Sequence, residues 1–86
     1  MQYIAFWEYD LKDEPTIINK FKARSEAGIK WLYPSCLLGG QSKGFSLYEA
    51  DDFTEIEKFI HQYAPELRFQ IFPIIELQKA IPIRSK

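Results

Sequence analysis

IKWLYPSCLL-GGQSKG-FSLYEA, residues 29–50, is the stretch that decides the fold. Its flanks, Ile29–Leu38 and Phe45–Ala50, are rich in aromatic and branched side chains, the composition of β-strands. Between them GGQSKG, residues 39–44, holds three glycines and no apolar residue. That is a hairpin-type connection, so the two strands are antiparallel neighbours. Working outward, the same pattern lies on both sides. Upstream, Ile17, Ile18, Phe21 and Ala27 fit one helical face, with Lys20, Lys22, Arg24 and Glu26 on the wet face. Asp13 is placed to cap that helix, Pro15 falls in its first turn, and Gly28 suits its end. Before it, Gln2–Tyr9 reads as a strand. Downstream, Asp52 and Glu55 have capping-box spacing. Phe53, Ile56, Ile60 and Tyr63 recur at helical intervals, and Pro65 closes the helix. Leu67–Leu77 reads as a fourth strand.

The order is strand, helix, strand, hairpin, strand, helix, strand. Two right-handed crossovers joined by a hairpin predict an α+β, ferredoxin-like βαββαβ sandwich with a four-stranded antiparallel sheet. Strands one and three are then central, and strands two and four are edges. Pro34 and Pro73 fall in the expected edges, where a missing ladder N–H is tolerated. Residues 1–77 form the single expected domain. Residues 78–86, which hold Pro82, read as a C-terminal tail of coil or a short arm.

Side chains alternate between the faces of a strand. In the first strand Tyr3, Ala5 and Trp7 share one face, and Ile4 and Phe6 the other. In the fourth, Phe69, Ile71 and Ile75 oppose Phe72 and Ile74. Both faces are apolar, but helices cover only one. The economical cover for the other is the same sheet of a second copy, a homodimer packed face to face. Size points the same way. A chain of 86 residues buries only about 60–65% of its unfolded surface and is marginal alone. Cys36 is the only cysteine, so no intrachain disulfide can help. The lone thiol suggests a reducing cytoplasm. The formal charge of −1 offers no footprint for nucleic acid or an anionic membrane. No apolar run approaches the ~20 residues needed to span a bilayer, and no signal peptide is expected ahead of a strand that begins at Tyr3.

Several segments together resemble a known family. They are Phe6-Trp7-Glu8, the Gly-Gly…Lys-Gly-Phe-Ser-Leu run of residues 39–47, Glu-Ala-Asp-Asp at 49–52, and Leu-Arg-Phe-Gln-Ile-Phe-Pro-Ile-Ile at 67–75. They look like a small prokaryotic family of unknown function that is similar to the dimeric α/β-barrel superfamily. The resemblance covers roughly residues 1–77. It implies a dimeric α/β barrel. The superfamily includes cofactor-independent monooxygenases, muconolactone isomerases, haem-dependent enzymes and ligand-sensing modules, so fold alone leaves the activity open.

Candidate chemistry is sparse. His61, the only histidine, lies beside the apolar face of the second helix. As a general base it needs a partner and a substrate in reach; a boundary residue is its plainer reading. Glu8 and Glu49 sit near the ends of the central strands, where a buried carboxyl would have a raised pKa and act as acid or base. The plainer reading is a solvated strand end. These three are the candidate catalytic residues. Trp7, Trp31, Tyr33 and Tyr48 are the candidate ligand-binding residues, able to line an apolar cavity or to fill the core or dimer interface. Cys36 lacks a local base and reads as a structural thiol. GGQSKG lacks phosphate-loop spacing. Arg68 suits an edge strand as a solubility device. No histidine pair has ligand spacing, so no metal and no cofactor is expected.

Two functions follow. One is a homodimeric small-molecule binding or sensing domain, whose ligand is apolar. The other is a monooxygenase- or isomerase-like enzyme, independent of cofactors, acting on an apolar or aromatic compound. A dimer with a filled interior is the third outcome.

Overall fold

The inner face of the sheet is where this chain buries its core. A computed structural model describes residues 1–85. The strands are β1 (Gln2–Glu8), β2 (Lys30–Leu37), β3 (Lys43–Glu49) and β4 (Arg68–Pro73). They form one antiparallel sheet in the order β2-β3-β1-β4. β1 and β3 are interior, and the edges β2 and β4 carry the strand prolines. The fold is therefore mixed α+β with an open four-stranded sheet and three helices: α1 (Glu14–Lys22), α2 (Phe53–His61) and α3 (Leu77–Arg84).

Tyr3, Ala5, Ser46, Tyr48, Ile56 and Phe59 are almost fully buried. A run of aromatic contacts joins sheet to helix. Trp31 meets Tyr48 at 5.0 Å and Phe59 at 5.5 Å between ring centroids. Phe59 then meets Tyr63 at 5.7 Å, and Tyr63 meets Phe69 at 6.0 Å. Most of these rings are edge-on or tilted, the arrangement aromatic quadrupoles prefer. Period-2 alternation in β1 and β3 delivers the small and hydroxyl-bearing residues Ala5, Gly44 and Ser46 to the same face as the rings.

At the α2 N-terminus the Asp52 half of the expected capping box forms, while the Glu55 carboxylate bonds Lys58 instead of returning to the cap. Asp52 accepts from the backbone N–H of Thr54 (2.9 Å) and Glu55 (3.4 Å), satisfying two donors that have no partner in the helix. The α1 boundaries differ from the sequence expectation. Asp13 occupies the cap position but makes no side-chain cap bond, because a 3-10 turn at Leu11–Asp13 leads directly into the helix. α1 ends at Lys22, so Ala27 is not on its face. Gly28 lies in the following loop with φ +80°. That conformation suits glycine. The loop is held to the end of α2 by Gln62, which donates to the Ser25 carbonyl (2.9 Å) and accepts from its N–H (2.8 Å). Lys20 bonds the Ala64 carbonyl (2.8 Å) and pairs with Glu66, tying α1 to the segment before β4.

The expectation of a coil tail is corrected. β4 stops at Pro73, and residues 77–84 are helical. Pro82 lies in the last turn of α3, where its ring removes one ladder donor late in the helix. The first turn closes without it, through Lys79 and Ala80 N–H to the Glu76 carbonyl (3.0 and 3.1 Å). Ala80 is buried, while Leu77, Ile81 and Ile83 are exposed. No helix among the described residues is long and apolar enough to cross a membrane.

The outer sheet face is uncovered in the single chain. Phe6 pairs across with Phe45 and Gln70, and Ile4 with Leu47 and Phe72. Phe6 (46% exposed), Tyr33 (53%) and Phe72 (51%) form its most open part.

Candidate functional site

A cavity of about 490 Å³ opens between the inner sheet face and α1. That is within the range of small-molecule sites, roughly 300–1,000 Å³. α1 supplies Ile17, Ile18 and Phe21. β1, β2, β3 and β4 supply Trp7, Trp31, Tyr48 and Phe69. Phe59, Tyr63 and Leu67 close the end nearest α2. The walls are thus mostly aromatic and aliphatic.

The few polar groups are clustered. Ser46, 2% exposed, accepts a hydrogen bond from the Trp7 indole N–H at 3.0 Å. Its hydroxyl lies 2.9 Å from that of Ser35 on β2. Tyr48 is its neighbour on the same face of β3. Burial pushes the Tyr48 phenol up to about 12, and hydrogen bonding with Ser46 pulls the other way. Gly44 makes this cluster possible. It faces Trp7 in the β1–β3 register, and a Cβ there would stand 2.5 Å from the indole ring.

A second polar pair lies on the cavity lining near the start of α1. The Tyr9 hydroxyl donates to the Glu14 carboxylate at 2.6 Å. This bond, then burial, then the carboxylate charge hold the Tyr9 phenol at about 12. Lys22 also lines the cavity.

Three of the four sequence-predicted ligand residues, Trp7, Trp31 and Tyr48, line this cavity together. Tyr33 does not. It pairs with Leu47 on the outer face and stacks on Phe45 at 6.2 Å. The pairing of Trp7 with Tyr33 in one cavity is therefore corrected. The register shifts in β2 between Trp31 and Tyr33, and again between Tyr33 and Cys36. A bulge breaks strict alternation, so Trp31 and Tyr33 end on opposite faces.

The three candidate acid–base residues are not brought together. His61 is exposed at the end of α2. Glu8 is exposed at the end of β1, 3.9 Å from Arg68. Glu49 is half-buried at the far end of β3, opposite Gln2 and Lys30. None of the three is on the cavity lining. Arg68 also approaches Asp10 at 3.7 Å, exposed pairing of the kind worth about 0–1 kcal/mol. Cys36 is half-buried and pairs with Phe45 on the outer-face register. Sequence reasoning missed Ser35, Ser46, Tyr9 and Glu14. The one available signal was Gly44-Phe45-Ser46-Leu47-Tyr48, where small or polar residues alternate with apolar ones in a central strand.

A search of curated proteins finds no match. The family described as "Domain of unknown function (DUF3303)" matches residues 1–86. This chain belongs to that family.

Proposed function

We propose that this protein is a homodimeric small-molecule binding or sensing domain of the ferredoxin-like, dimeric α/β-barrel type, working in a reducing cytoplasm. The observation that carries the binding reading is the apolar cavity of about 490 Å³ with a small polar cluster on its sheet wall. Large apolar walls supply affinity, and a few placed hydrogen-bonding groups supply orientation. Trp7, Trp31 and Tyr48 are its proposed ligand contacts. The strand order, with β1 and β3 central, supports the ferredoxin-like reading.

The dimer reading rests on the uncovered outer face. Ile4, Phe6, Tyr33, Phe45, Leu47 and Phe72 lie across all four strands there. An apolar sheet face of that breadth is the usual mark of an interface. The same face on a second copy is complementary by symmetry. Tyr33 belongs to this face in the proposal, not to the ligand site.

Light scattering and ligand titration test the two parts. The expected mass at micromolar concentration is twice the 10.2 kDa of one chain. A monomer there overturns the dimer. Apolar ring compounds are expected to change the emission of Trp7 and Trp31 and to raise the melting temperature. A panel with neither effect overturns the binding reading.

The enzyme alternative draws on one observation. Glu14, held by Tyr9, is a carboxylate on the cavity lining. If the site handles protons, Glu14 is the residue in place to do so.

A further inference from the structure

The N–H and O–H donors of the cavity wall are largely spent on its own neighbours. The Trp7 indole donates to Ser46 (3.0 Å), the Trp31 indole to Glu26, and the Tyr9 hydroxyl to Glu14 (2.6 Å). Ser35 and Ser46 bond each other (2.9 Å). What the wall keeps is acceptor capacity and a negative charge. Glu14 is half-buried at the start of α1 and, among the described residues, is the one carboxylate on the lining. A carboxylate accepts at about four positions, and Tyr9 fills one of them. Among the described residues no lysine, arginine or histidine pairs with it. Partial burial of an uncompensated charge is unfavourable, and a cation seated beside it is the natural relief. Lys22, the one cation on the lining, does not supply it. Its side chain is exposed and starts eight residues further along α1, about 12 Å of helix rise. That exceeds the Debye length of about 8 Å at physiological salt. Arg24 lies beyond the same far end, its guanidinium 3.9 Å over the Phe21 ring.

Resting on the cavity reading above, we propose that the ligand is a ring-bearing amine, whose ammonium group pairs with Glu14 while its rings lie between α1 and the sheet. The wall around Glu14 suits that group twice over. Tyr9, which holds the carboxylate, stacks on Trp7 at 6.3 Å with the ring planes 18° apart. The carboxylate therefore stands at the end of an aromatic wall, and aromatic faces attract ammonium groups. Ile17, Phe59 and Phe69 offer apolar contact to the rest of the molecule. A neutral alcohol of the same shape keeps the apolar contact and forgoes the charge. A carboxylic acid brings a second negative charge against Glu14. Glu14 binds in this reading and transfers no proton.

The test compares 2-aminoindane, 2-indanol and indane-2-carboxylate, which share a bicyclic skeleton and differ in one group. Binding is followed by the shifts of the Trp7 and Trp31 indole N–H in proton–nitrogen correlation spectra, which report affinity and place together. The amine is expected to bind roughly tenfold tighter than the alcohol, the value of one charge-assisted hydrogen bond, and the acid most weakly. Glu14→Gln keeps the size of the side chain and an acceptor for Tyr9, and is expected to remove the amine preference while 2-indanol binding persists. Equal binding of amine and alcohol, tighter binding of the acid, or a preference that survives Glu14→Gln overturns the amine proposal and leaves the cavity reading standing. Indole resonances unmoved by all three compounds up to their solubility overturn both. Should Glu14→Gln fail to fold, salt decides the matter in the wild type. The preference should shrink as sodium chloride rises to about 1 M, and one that salt leaves unchanged overturns the ion pair.

Discussion

Replacing Gly44 by alanine tests the geometry on which the site depends. Gly44 is buried in β3, opposite Trp7 on β1 and Leu37 on β2. An added Cβ would collide with the Cys36 carbonyl oxygen and stand 2.5 Å from the Trp7 ring. The first obstacle is backbone of the neighbouring strand, which cannot swing aside. The second is the ring that donates to Ser46 at 3.0 Å. Overpacking of this kind costs about 1–3 kcal/mol, and losing the indole bond adds about 1 kcal/mol. Restricting the unfolded chain by Gly→Ala offsets about 0.4–1 kcal/mol. The net expectation is a loss of about 2 kcal/mol, equivalent to roughly 10 °C in a domain of this size. Urea denaturation gives the free energy, and near-ultraviolet circular dichroism reports the displaced indole. Gly39→Ala is the control: nothing lies within 4 Å of its added Cβ, so it is expected to be neutral or slightly stabilising. Equal stability of wild type and Gly44→Ala, with an unchanged tryptophan spectrum, would refute the packing described for Trp7.

Three further outcomes are expected. Phe6→Lys, on the open outer face, should convert the dimer to a folded monomer in light scattering, with unchanged far-ultraviolet circular dichroism; a dimer that survives it points to another interface. Asp52→Ala should cost about 1 kcal/mol in urea denaturation, because Thr54 and Glu55 N–H lose their acceptor; no change would mean that water replaces the cap. Tyr9, Tyr48 and Tyr63 are each held at about 12, Tyr48 and Tyr63 chiefly by burial and Tyr9 chiefly by its bond to Glu14. Their folded pKa lies above the ordinary 10.0, so this stability is fully present below pH 10 and is lost as pH rises toward 12; an ultraviolet titration in which all five tyrosines ionise together near pH 10, in a still-folded chain, would contradict it.

Local rules were enough at the hairpin, the α2 cap and β1, though not at the ends of α1, where Asp13 makes no cap bond and the helix stops at Lys22. The glycine-rich run 39–44 sits between two β-rich runs, and the hairpin formed there, with Lys43 and Gly44 taken into β3. Asp52 caps α2 because an N-cap needs only residues two or three positions away. Alternation in β1 correctly separated Tyr3, Ala5 and Trp7 from Ile4 and Phe6. Alternation failed in β2, where two register shifts around Tyr33 and Pro34 answer to the pairing with β3. The helix over residues 77–84 was hidden by Pro82, which argues against helix although here it removes only one late ladder donor while the first turn and the Ser85 N–H to the Ile81 carbonyl still close.

By itself, then, the sequence determined the order of strands and helices as far as β4, the edge placement of Pro34 and Pro73, and the presence of two apolar sheet faces. These follow from side-chain periodicity and from the N–H that proline lacks. Only the tertiary structure decided what the inner face contains. Ser35 and Ser46 are eleven residues apart and within 2.9 Å. Trp7 reaches Ser46 across thirty-nine residues. Glu14 joins the cavity while Glu8, Glu49 and His61 stay outside its lining. Such a site is made by strand register and helix placement, which pair residues far apart in the chain and leave no spacing to read.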